Sequence, residues 1–120
     1  MRPQSFKDLE VWQLSMELTD LVYSASLEFP HPHRFEIGRQ MRESAVSVPS
    51  NIAEGYRQRS RKAYVRYLKI SAGSLAELET QIEVAARQRV PRAEDGTRMA
   101  SIADRVGRML NVLITRLSAG

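Results

Sequence analysis

Apolar residues recur along this chain at intervals of three and four, the period of an α-helix, and no stretch alternates as a half-buried strand would. The first predicted helix runs from about Lys7 to Leu27, with Ser5 and Asp8 spaced as a capping box and Pro30 stopping it. It carries two apolar stripes. Leu9, Trp12, Met16, Tyr23 and Leu27 form one, while Val11, Leu14, Leu18, Leu21, Val22 and Ala25 form another on a nearly opposite side. Glu10, Glu17 and Asp20 fill one wedge between them, and Ser15, Thr19 and Ser26 the other. A helix apolar on two sides is normally covered on both. One cover is the bundle core, and the other is expected to be a second copy of the chain. Val11, Leu14, Leu18, Leu21 and Val22 are the expected oligomer contact, because an exposed stripe of that size invites aggregation.

The second predicted helix spans about Phe35 to Glu54, with Ile37, Met41, Ala45, Val48 and Ile52 as its core stripe. Pro49 lies inside it, lacks an N–H and crowds the carbonyl of Ala45, so a kink is expected. Gly55 is placed to end the helix in the left-handed conformation, and Ser60 to cap the next. The third helix runs from about Arg61 to Arg87, with Tyr64, Leu68, Ser71, Leu75, Leu78 and Ile82 facing inward. Gln88 to Gly96, containing Pro91 and Asp95-Gly96, reads as a loop. The fourth helix, about Thr97 to Leu117, packs through Met99, Ile102, Val106, Leu110, Leu113 and Leu117. Short connections between four such helices predict an all-α, antiparallel up-down four-helix bundle. The length of 120 residues suits one domain, taken as 1–120.

Composition narrows the chemistry. There are no cysteines, so disulfides and thiolate sites are excluded. No apolar run approaches the roughly 20 residues that span a bilayer. The opening Met1-Arg2-Pro3-Gln4 lacks the apolar stretch of a signal peptide, so a cytoplasmic location with no membrane association is expected. The only histidines, His31 and His33, flank Pro32 in a turn and form no Glu-x-x-His motif. No cofactor or metal is therefore expected. The carboxylates of the polar motifs have no nucleophile or titrating histidine beside them, and no enzymatic activity is expected.

Charge changes the picture more. The net charge is +4, yet Arg57, Arg59, Arg61, Lys62, Arg66 and Lys69 place six cations in thirteen residues with no acidic residue among them. Lys62, Arg66 and Lys69, spaced by four and three, form a basic ridge opposite the inward face of the third helix. Gly73 continues that ridge and leaves it bare. Such a ridge suits phosphate contact with RNA or DNA without sequence readout, and a plain solvated surface is the competing reading. Tyr56 and Tyr64 would add base stacking to a single strand, unless Tyr64 belongs to the core. A protein scaffold that docks the ridge on an acidic partner enzyme is the main rival. Membrane association is weaker, because no exposed apolar face flanks the ridge.

Three blocks carry a family resemblance. Phe6-Lys7-Asp8-Leu9-Glu10-Val11-Trp12, Ala45 through Gly55, and Gly73 through Gln81 resemble the bacterial four-helix bundle proteins first noted in intervening sequences of large-subunit ribosomal RNA genes. The likeness covers the first three helices in order. It implies a ring-shaped homopentamer and kinship with the accessory variability proteins of diversity-generating retroelements, which bind nucleic acid and a reverse transcriptase. Within the two later blocks Pro49, Asn51, Glu54, Gly55, Gly73, Glu77 and Glu79 are read as structural positions. With Ser74 and Gln81, the polar ones among them are expected to set helix register through hydrogen bonds or salt bridges.

Overall fold

The computed structural model describes residues 5–119; Met1–Gln4 and the reading attached to them lie outside this range. Four helices, α1 (Glu10–Leu27), α2 (Ile37–Tyr56), α3 (Arg61–Arg87) and α4 (Ala93–Ser118), form an antiparallel bundle measuring 47 × 22 × 21 Å. Each packs on its chain neighbours, and α4 closes the bundle against α1. Short 3₁₀ turns at Phe6–Asp8 and His33–Phe35 precede α1 and α2. Ser5 caps the first of these turns, its hydroxyl accepting from the Lys7 N–H at 3.1 Å, so α1 starts later than the capping-box spacing predicts.

The core corrects the reading of α1. Val11, Leu14, Leu18 and Val22, expected at an oligomer contact, are buried inside this chain, and Leu21 is half-buried. Val22 is 0% and Leu18 1% exposed, whereas Tyr23 and Leu27 on the other stripe are 42% and 49% exposed. The reason lies in the neutral wedge. Ser15, Thr19 and Ser26 are small and buried, and α2 packs on this side, where Thr19 reaches the Ala45 carbonyl and Ser26 accepts from Arg42. They join the second stripe into one broad inward arc. Trp12, Met16, Tyr23 and Leu27 are left at its outer border.

That wedge also resolves Pro49. α2 runs unbroken through the proline, which has no N–H to offer the Ala45 carbonyl. The Thr19 hydroxyl of α1, bonded to the Ser15 carbonyl at 2.8 Å, reaches the Ala45 carbonyl at 3.2 Å. A buried carbonyl left unpaired would cost about 1–3 kcal/mol. Cross-helix donation from a small polar residue is thus what lets a proline sit in a packed helix.

Gly55 is a second correction. It lies within the last turn of α2, and no glycine among the described residues has positive φ. α2 ends instead with Arg57 in the right-handed region, while the Gln58 side-chain amide donates to the Glu54 carbonyl at 3.2 Å. The left-handed residue is Arg89 (φ 58°), just past α3. Its N–H bonds Ala86 O at 3.0 Å and the Val90 N–H bonds Ala85 O at 3.0 Å, the paired pattern of a Schellman end. The loop read over Gln88–Gly96 is shorter than expected, because α4 begins at Ala93 with Glu94 and Asp95 favourably placed against its N-terminal dipole. Phe29, absent from every predicted stripe, is buried at 1% exposure between α1 and α2. Arg42 ties the same end together, donating to Ser26 Oγ at 2.8 Å and to the Arg34 carbonyl at 3.1 Å. Among the described residues, no helix is long and apolar enough to cross a membrane.

Candidate nucleic-acid interface

Ser60 opens α3 as predicted, its hydroxyl accepting from the Ala63 N–H at 3.1 Å. The inward face of α3 then buries Leu68, Ser71, Leu75, Leu78 and Ile82, with Tyr64 half-buried at its start. A helix whose inner side is committed in this way must turn its other side to solvent. Arg57, Arg59, Arg61, Lys62, Arg66 and Lys69 are all exposed. Among the described residues none of them enters an ion pair, since the three pairs present are Arg39–Glu43, Arg87–Glu83 and Arg108–Asp104.

The six cations divide into two groups. Lys62, Arg66 and Lys69 line one shallow, open trough with Ser60, Ala63, Val65 and Ile70. Arg57 and Arg59 lie in the turn before α3, and Arg61 starts the helix outside the trough. Two guanidiniums are braced on rings: Arg57 over Phe6 at 5.4 Å and Arg66 over Tyr67 at 4.9 Å. Phe6 meets Trp12 edge-on at 5.3 Å, which holds the start of α1 against the turn that carries Arg57. The apolar members of the trough, Val65 and Ile70, went unread in the sequence, although helical spacing interleaves them with Lys62, Arg66 and Lys69.

Tyr56 and Tyr64 meet edge to face at 6.1 Å, so each ring takes part of the other's surface. Burial pushes the Tyr64 phenol up to about 12, with the neighbouring Tyr56 adding to the shift. Tyr64 therefore belongs as much to the core as to the surface.

The signature blocks meet along the inner line between α2 and α3. Asn51 donates to the Ser47 carbonyl at 2.8 Å and to Ser47 Oγ at 3.1 Å, and Ser47 Oγ shares a 2.7 Å hydrogen bond with Ser74 Oγ. Ser71 Oγ donates to the Val48 carbonyl at 2.8 Å. A Cβ on Gly55 would fall 2.7 Å from Tyr67 Cβ and 3.2 Å from the Tyr64 carbonyl, so the glycine admits close approach of α3. Glu54, Glu77 and Glu79 are exposed and form no ion pair among the described residues. Partial burial, with Asp104 nearby, raises the Glu79 carboxyl above its ordinary range. Gln81 Oε1 is buried without a hydrogen-bond partner among the described residues. Within the chain, register is thus set by hydrogen bonds among Ser47, Asn51, Ser71 and Ser74. Gly73 is exposed, with nothing within 4 Å of a Cβ built on it.

Fold and surface together define a four-helix bundle with one basic, outward-facing helix half. The model of the 23S rRNA-intervening sequence protein family matches residues 7–112, and the chain belongs to that family. A protein of unknown function from the S23 ribosomal protein family of Bacteroides thetaiotaomicron has the same fold. Its crystal structure superposes with a TM-score of 0.81 at 20% identity, covering 88% of this chain and 95% of that one. Comparison with curated proteins gave no match.

Proposed function

We propose that this chain is a non-enzymatic, homo-oligomeric cytoplasmic bundle that binds RNA or DNA through the basic half of α3 and the turn before it. The observation that carries the reading is the set of six exposed cations, Arg57 to Lys69, none in an ion pair among the described residues. Exposed cations outside any ion pair among the described residues supply phosphate contacts without first breaking an internal salt bridge. Electrophoretic retardation across a salt series tests it. Binding should fall steeply with salt, and Arg66→Glu with Lys69→Glu should abolish it. Absence of any shift at low salt would leave the protein as a scaffold or accessory subunit for a nucleic-acid enzyme, a reverse transcriptase being the partner that the family resemblance suggests.

Oligomerisation rests on α1. With its second stripe in the core, the partly exposed stripe Trp12, Met16, Tyr23 and Leu27 is the face that a second copy would cover. A pentamer is the state the resemblance implies, and such a ring would repeat the ridge and strengthen weak contacts by multivalency. Light scattering should give a mass above that of one chain, and Tyr23→Glu with Leu27→Glu should lower it. A soluble monomer at micromolar concentration would end this part of the proposal.

A further inference from the structure

Resting on the nucleic-acid reading above, we infer that the ligand of the ridge is a single-stranded polynucleotide lying along α3, and not a duplex. Lys62, Arg66 and Lys69 share one trough, and the helical rise offsets them by about 6 and 4.5 Å along the axis. Successive phosphates of one extended strand can meet successive cations at such steps.

The remainder of the trough decides between strand and duplex. Ala63, Val65 and Ile70 line it among the cations, and Ile70 is 44% exposed. A duplex shows a helix face its phosphates and sugars, which gain nothing from apolar side chains. A single strand makes use of them, because its unstacked bases have apolar faces to lay on Val65 and Ile70. Arg66, exposed and braced on Tyr67 at 4.9 Å, offers a planar guanidinium on which a base can stack.

The test uses the full chain and a labelled single strand of about 12 nucleotides, within the range that one small binding surface covers, made as RNA and as DNA. Each is compared with its blunt duplex by fluorescence anisotropy over a salt series. Covering a half-exposed aliphatic side chain with a base is worth about fivefold, and two such contacts should make the single strand bind at least about tenfold tighter than the duplex. Ile70→Gln should weaken single-strand binding about fivefold at unchanged salt slope and leave duplex binding as it was. Lys69→Gln should lower the salt slope by about one. Ile70→Thr serves as a second variant should the glutamine disturb folding, which circular dichroism reports. Equal affinity for strand and duplex, or an Ile70 effect identical on both, overturns the inference while leaving nucleic-acid binding standing. Failure of both forms to bind at low salt overturns the nucleic-acid reading itself.

Discussion

The two sides of α3 obey different rules. On the inner side, Ser71 and Ser74 reach hydrogen-bond partners on α2, and Gly55 of α2 lies so close to Tyr67 that a single added carbon would collide. On the outer side, Lys62, Arg66 and Lys69 pair with no acidic group among the described residues, and Gly73 has open space around it. Each side involves one glycine of the signature blocks, Gly55 facing the inner side from α2 and Gly73 on the outer side. The same residue type therefore does opposite work: inside it lets helices touch, and outside it leaves a surface unfilled.

The contrast can be broken most forcefully at the two glycines. Gly55→Ala should destabilise the fold by about 2–3 kcal/mol, because Tyr67 Cβ and the Tyr64 backbone cannot swing away as a flexible side-chain end would. Chemical denaturation measures this, and a loss below about 0.5 kcal/mol would show the seam to be looser than described. Gly73→Ala should act in the opposite direction, stabilising by about 0.5–1 kcal/mol through the helix preference for alanine. A fall in oligomer mass for that variant would instead place another copy's backbone on the outer face of α3.

The smallest effect at neutral pH belongs to Tyr64. Its phenol is raised to about 12 by burial, so the native state holds that proton more tightly than the unfolded chain does. The stability this confers is fully present below the ordinary tyrosine pKa near 10 and is lost as pH rises through about 12. Ultraviolet titration of the phenolates should show one late-ionising tyrosine, absent in Tyr64→Phe. A titration in which no tyrosine ionises late would remove Tyr64 from the seam.

The four helices, most of their inward stripes and the exposed cations were legible from periodicity alone, because a helix must bury its apolar arc whatever its neighbours are. The Ser60 cap was legible for the same local reason: its hydroxyl bonds an N–H three residues away. Which of the two α1 stripes faces the core was not legible. Both have helical spacing, and the choice fell to Ser15, Thr19 and Ser26, whose small size matters only once α2 lies across them. Gly55 was misread similarly. A glycine near a helix end suits a left-handed stop, and only the position of Tyr67 shows that the missing Cβ serves packing instead.

Pro49 marks the division between the two kinds of information. That one α2 carbonyl, that of Ala45, would lack its usual donor follows from the residue order alone, since proline has no N–H. That Thr19, 26 positions earlier, would answer it from 3.2 Å away follows only from how α1 and α2 pack. Hydrogen-bond deficits are local and readable residue by residue. Their remedies depend on which helix surfaces meet, and that is set by side-chain volume summed across the whole bundle.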